Sequence, residues 1–309
     1  ETIISKLCYD GARRPVLGAC FDDIRICNYA LRNVDRISDL TPEDYSNSIK
    51  NDFRGQAYFL RAYLHFTLFR LWGPFPYIDY VIELDDQWDI ARMEKNDYLN
   101  RIVADLDSAY DYFVLADKVR RDPMPGVAGS LNYSGYEMYR PNGMACKALK
   151  SRVLLYAASP FNNKNGIADW EKAAEAAWDA ITVAEGKGVI VLPLTDPSNN
   201  DRHLNYYDKD VCEESIWTRT WGSQSWNWGG GSGTVASFFN GVFMAHTSAS
   251  GIHPTQNWVD RYETITGRPL VTEADRAAAT AAGEYNEQNP FIGRDPRLAT
   301  DVIYNQSPC

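Results

Sequence analysis

At 309 residues the chain can bury a large core in one or two domains, and its composition is that of a globular protein. Acidic residues outnumber basic ones 41 to 31, a formal charge of −10. That sign is wrong for a protein that must neutralise phosphates, so nucleic acid is excluded as a partner, and no apolar run is long enough to read as a membrane-spanning helix.

Residues 1–17 show little periodicity. From 20 to 38, Phe21, Ile24, Cys27, Leu31, Val34 and Ile37 recur at helical spacing and predict a first helix. Val16, Leu17, Gly18, Ala19 and Cys20 have the look of a lipoprotein cleavage box. A signal peptide needs an apolar run of about 7–15 residues before the cleavage site, and Asp10, Arg13, Arg14 and Pro15 interrupt this one. Cys20 therefore reads as the opening of the helix. Six cysteines allow many pairings, but Cys20 and Cys27 on one helix lie about 10 Å apart, out of disulfide reach. Cys146, among small residues, reads as buried filler.

The chain is organised around 51–79. One stripe of Phe53, Ala57, Leu60, Leu64, Leu68 and Leu71 and a second of Tyr58, Ala62, Phe66 and Phe69 make this helix apolar on two sides, so it is expected between neighbours. Thr41 as N-cap, Pro42 at the first position and Glu43 and Asp44 in the first turn supply its start; Gly73, Pro74 and Pro76 end it. An acidic connector follows, then a helix over 93–113 through Tyr98, Ile102, Leu106, Ala109 and Phe113. Residues 114–143 carry prolines, glycines and tyrosines without a period. Helices resume at 144–158 and 168–184, the latter with Trp170, Ala173, Ala174, Ala177, Ile181 and Ala184 on its inner side. After Lys187 the texture becomes loop-rich, with a further helix over 275–282 and an apparent strand at Val302, Ile303 and Tyr304. These elements divide the chain into a helical scaffold over 1–185 and a loop-rich portion over 186–309. Loops carry function more often than scaffolds do.

Gly55, Ala57, Phe59, Leu60, Arg61, Ala62, Phe66, Leu68, Arg70, Gly73 and Pro76 form a pattern that resembles the SusD/RagB family of Bacteroidetes outer-membrane nutrient-binding lipoproteins. Asp105, Leu106, Asp107 and Ala109, the helix over 145–160, Pro254, Thr255 and Gln256, then Gln288, Asn289 and Pro290, and finally Gly293, Arg294, Asp295, Pro296, Arg297 and Leu298 resemble further family signatures in the right order. The resemblance implies a mainly α fold, a tetratricopeptide-like scaffold of helical hairpins with an irregular second portion. It also implies a protein lipid-anchored at the cell surface, with the lipid-bearing cysteine and a C-terminal portion outside these residues. Its ligand would be an oligosaccharide, or peptide in the RagB branch, passed to a SusC-like TonB-dependent transporter.

Binding residues are not fixed by those motifs and rest on physical reading. In 217–233, Trp221, Trp226 and Trp228 lie among glycine, serine and asparagine, where no amphipathic pattern accounts for all three. Indoles offer flat faces and one N–H donor, which suits stacking on a pyranose, with Gln224, Asn227 and Arg219 to bond the hydroxyls. The competing reading is that these rings pin a loop to the scaffold. Gly229 to Gly231 and Gly233 lack the lysine and context of a phosphate loop, and the four histidines show no metal spacing. No cofactor is expected. A glycosidase needs two facing carboxylates; Glu213 and Glu214, adjacent on an extended segment, would point to opposite faces. Non-catalytic glycan capture is thus the expected function, with a protein-binding tetratricopeptide adaptor as the rival and a hydrolase disfavoured.

Overall fold

The computed structural model describes residues 16–37, 43–121, 140–189, 216–217, 226–228, 231–233, 254–302 and 304. It is mainly helical. The first five helices are α1 (Val16–Asn33, continued by a 3₁₀ turn over Val34–Arg36), α2 (Glu43–Trp72), α3 (Lys95–Leu115), α4 (Gly143–Ala158) and α5 (Ile167–Gly186). Each packs chiefly on its neighbour in the chain, the arrangement of stacked tetratricopeptide-like hairpins.

Helix α2 is the sandwiched element that its two stripes predict. Ala57, Ala62, Phe66, Leu68 and Phe69 are buried, and Ala62 is inaccessible. The first and last members of the first stripe, Phe53 and Leu71, are exposed instead, Leu71 at the last turn of the 30-residue helix. Its cap residues Thr41 and Pro42 lie outside the described residues. Its end is made by Gly73, whose φ of +80° admits the left-handed turn and whose N–H donates to the Phe69 carbonyl. At Gly55 a Cβ would sit 2.8 Å from the Phe113 ring, so glycine there lets α3 close on α2.

Helix α3 buries the full predicted stripe, Tyr98, Ile102, Leu106, Ala109 and Phe113. Helix α4 begins at Asn142, whose Oδ1 caps the Ala145 N–H while its Nδ2 donates to the Ile216 carbonyl. Trp217 follows onto the edge of the core, edge-to-face with Phe59 and Tyr63. On α5 the inner face differs from the expected one. Ala173, Ala180 and Ala184 are buried, whereas Trp170, Ala174, Ala177 and Ile181 are exposed. The helix closes on α4 through small residues, and a bulky indole does not fit that seam; Trp170, Ala174 and Ala177 instead line a shallow groove with Leu155 and Arg152.

Cys20, Cys27 and Cys146 are free and buried, and burial raises the Cys20 and Cys27 thiols to about 11 and about 12. Cys20 is the fifth residue of α1 rather than its first.

In the second unit β1 (Trp226–Trp228) pairs antiparallel with β2 (Gly231–Gly233), Trp226 opposite Gly233 and Trp228 opposite Gly231. Three short helices follow: α6 (Gln256–Val259), α7 (Glu273–Ala281) and α8 (Pro296–Asp301). Helix α7 starts two residues before the expected position, at a capping box in which Thr272 and Asp275 bond each other's backbone N–H. The chain at Val302 is extended only as the end of α8; Ile303 lies outside the described residues, so the expected strand reduces to that cap. Two small cores hold these helices, Val259 with Leu298 and Val302, and Leu270 with Ala279 and Tyr285.

The arginine signature near 294 is explained by this packing. Gly293 takes φ +69°, Asp295 caps α8 by accepting from the Arg297 N–H at 2.9 Å, Pro296 fills the first helical position and Leu298 is buried. Arg294 donates to the carbonyls of Pro290, Val259 and Tyr262.

Candidate functional site

Among the described residues two places are candidate binding sites, and they differ in chemistry. The first is a cleft of about 530 Å³ within the helical unit, between α1 and the connector over 73–94. Helical spacing on α1 delivers Phe21, Ile24 and Arg25 to one wall. The connector supplies Phe75, Ile78, Tyr80, Ile82, Trp88, Ile90 and Arg92. Phe21 and Phe75 meet edge-to-face at 5.5 Å.

A buried polar network fixes the connector in place. Arg61 reaches both carboxylate oxygens of Asp105, at 2.7 and 2.8 Å, so the two separately spaced family signatures that contain them meet in one ion pair. Tyr77 donates to the same carboxylate at 2.6 Å. Arg61 also donates to the Asn28 side chain at 2.8 Å, and Asn28 in turn donates to the carbonyls of Ile78 and Tyr80. Burial opposes the charge on Arg61, but the hydrogen bonds and charge of Asp105 outweigh it and hold the guanidinium protonated beyond its usual range. Burial and then the Asp105 charge push the Tyr77 phenol well up. His65 stacks on Tyr77 at 3.9 Å, and its Nδ1 faces the Tyr98 hydroxyl at 2.7 Å. Desolvation lowers its pKa to about 3, so the ring is neutral, with its two nitrogens facing the Tyr98 hydroxyl and the Ile78 carbonyl. No charge signal in the sequence marks this network, because its members come from four separate stretches of chain.

The second place is the β1–β2 ribbon. Trp226, Asn227 and Trp228 form β1, while Trp221, Gln224 and Arg219 lie outside the described residues. Strand alternation puts positions 226 and 228 on one face of the ribbon and 227 on the other. The cross-strand partners of both tryptophans are glycines, which present no side chain.

Among the described residues no group of three or more histidine, cysteine, aspartate or glutamate side chains gathers to hold a metal, and no helix is long and apolar enough to cross a membrane.

Comparison with known proteins gives a consistent pattern. A SusD-like family model, described as "Starch-binding associating with outer membrane", matches residues 9–125. SusD-like protein P2 of Formosa agariphila is 31% identical over 114 residues, 37% of this chain and 21% of that protein. The crystal structure of a SusD-like protein from Bacteroides fragilis NCTC 9343 superposes over 92% of this chain and 48% of its own, with a TM-score of 0.58 at 22% identity. The chain thus spans about half of that solved protein and aligns with about a fifth of the curated one.

Proposed function

We propose that the chain, a SusD-family protein by its match over residues 9–125, captures oligosaccharide without chemically changing it, at the outer face of the outer membrane. In this reading the protein is held there by a lipid and passes its ligand to a SusC-like TonB-dependent transporter. The wording attached to the matching family, starch binding and outer-membrane association, supports both the ligand class and the location. The observation that carries the site is the ribbon register: two tryptophans two residues apart, each opposite a glycine, leave one face of the ribbon without cross-strand side chains beside the rings. Such a face suits stacking on successive pyranose units, with Asn227, Gln224 and Arg219 available for hydroxyls and Trp221 as a third ring.

The test is calorimetric titration with a panel of oligosaccharides. Aromatic stacking on flat ligands is worth about 1–3 kcal/mol per ring, so Trp226→Ala or Trp228→Ala should weaken binding by about ten- to a hundredfold while the melting temperature changes little. Chromatography after prolonged incubation should recover the sugar intact. An adaptor that binds protein on its helical scaffold predicts the opposite dependence, with affinity indifferent to the ribbon. Normal sugar binding by both variants at unchanged stability would remove the platform from this ribbon.

A further inference from the structure

The cleft beside α1 has a chemistry that glycan capture leaves unused. Its floor is Ile24, Ile78, Ile82 and Ile90 with the Phe21 and Phe75 pair, groups that cannot bond the hydroxyls a sugar would desolvate there. Its mouth offers ring surface instead: Tyr80 and Trp88 are 47% and 61% exposed. Two guanidinium groups complete the lining against a single carboxylate, Asp22. Arg92 lies over the Phe75 ring at 4.5 Å and donates through Nη1 to the Pro74 carbonyl at 3.0 Å. Arg25 is anchored the same way, through Nη1, to the Ile82 carbonyl. Neither arginine is ion-paired with a described carboxylate, so each keeps N–H donors for an anion on a side chain already held in position. These two guanidinium groups thus line the cleft beside a connector whose own charges, Glu83, Asp85, Asp86 and Asp89, are acidic.

We infer that the cleft binds a small aromatic carboxylate of one or two rings, its ring on the isoleucine floor and its carboxylate on the arginine edges. A volume of about 530 Å³ lies in the range of pockets for small ligands. This site is independent of the ribbon and of the glycan reading.

The experiment is calorimetry of the full chain with 4-phenylbutyrate, 4-phenylbutanol and octanoate. A ligand of this size in such a pocket should bind with a Kd of about 1 mM, and the alcohol and octanoate should each bind at least about fivefold more weakly. Trp88→Ala, at an exposed position that leaves the core intact, should weaken the acid and the alcohol alike by about fivefold. Arg25→Gln with Arg92→Gln should lower the acid to the level of the alcohol and leave the alcohol where it was. The double variant Trp226→Ala with Trp228→Ala should bind 4-phenylbutyrate as the parent does, which separates this site from the ribbon. No saturable binding by about 20 mM, equal affinity for acid and alcohol, equal affinity for octanoate, or indifference to Trp88→Ala would each overturn the assignment. Should the double arginine variant fail to fold, the three-ligand comparison on the parent and the Trp88 variant still decide it.

Discussion

Arg61 in the helical unit and Arg294 in the second unit are equally deep, each 5% exposed, yet they are satisfied by opposite means. Arg61 has a carboxylate, Asp105, in bidentate geometry, with Tyr77 and Asn28 completing the bonds. Arg294 has carbonyl oxygens, a Tyr285 ring 5.9 Å away and an Nε with no partner among the described residues. The titration of the two follows. Burial lowers the pKa of Arg294, whereas for Arg61 the Asp105 contacts overcome burial and raise it. A large core of stacked helices can seat a full ion pair between three elements. A unit of short helices around two small cores uses one guanidinium to gather the loose carbonyls at the end of α6 and in the turn before α8. The first device fails when either partner is removed; the second depends on the cation alone.

The sharpest break of this comparison is Asp105→Ala. Stranding a buried guanidinium costs about 3–5 kcal/mol, and urea unfolding should show it. Replacing both partners, Arg61→Met with Asp105→Leu, should recover most of the loss, since no charge is then left without a counterpart. A single-variant cost near zero would mean that water reaches Arg61. In the second unit Arg294→Met leaves carbonyls unpaired but strands no charge. It should cost about 1–3 kcal/mol, read as faster amide exchange over 256–262 and 293–298. A loss as large as that of Asp105→Ala would show that the cation does more than gather carbonyls.

How much of this was legible beforehand depended on the range of the interaction. Amphipathic spacing is local, and it recovers four of the five long helices and the buried stripe of α3, while α4 is read from the family resemblance. The face of α5 is only partly the expected one: Ala173 and Ala184 are buried, whereas Trp170, Ala174, Ala177 and Ile181 are exposed. The close seam with α4 selects Ala173, Ala180 and Ala184 and turns Trp170 outward. The Arg61 network was invisible, since Asn28, Arg61, Tyr77 and Asp105 are joined only by folding. Family signatures nonetheless flagged Arg61, Asp105 and Arg294 without saying why, and buried hydrogen bonding supplies the reason. The tryptophan-rich stretch divides: Trp217 packs against Phe59 and Tyr63, while Trp226 and Trp228 sit in a ribbon opposite Gly233 and Gly231. The cleft was missed because its connector has no period, and its isoleucines become a surface only when the Asn28 bonds hold them against α1.

A pH titration sharpens the contrast within the helical unit, where a buried imidazole stays neutral beside a buried cation. The folded pKa of His65 is about 3 against 6.5 for the exposed side chain. The unfolded chain therefore binds a proton that the folded chain refuses between those two values. His65 costs nothing above pH 6.5, and stability falls as pH drops from 6.5 towards 3. The slope is about 1.4 kcal/mol per pH unit, so this residue should remove about 2 kcal/mol between pH 7 and pH 5. His65→Gln should flatten the wild-type slope over that window by the same amount. Parallel profiles for the two proteins would mean that the histidine titrates normally.

The smallest effect bears on the second unit, through the same type of bond made in two settings. Thr272 Oγ1 accepts from the Asp275 N–H at 3.1 Å and Asp275 Oδ2 accepts from the Thr272 N–H at 2.9 Å, closing the start of α7. Glu94 likewise accepts from the Asn96 N–H at 2.9 Å at the start of α3. Helix α7 has nine residues and buries only Ala279, whereas α3 has 21 and buries seven side chains. A helix as short as α7 has little stability of its own, so its cap forms a large share of what holds it. Thr272→Ala should cost about 1 kcal/mol, and because the helix can fray alone, the loss should appear as faster amide exchange over 273–281. Thr272→Ser should restore protection. Glu94→Ala removes a comparable bond, but the buried stripe of α3 keeps the helix formed. Exchange should quicken only in its first turn, with no measurable change at Ile102 or Leu106. If Glu94→Ala instead loosened α3 throughout, the helical unit would prove as dependent on single hydrogen bonds as the second, and the contrast drawn from the two arginines would fail.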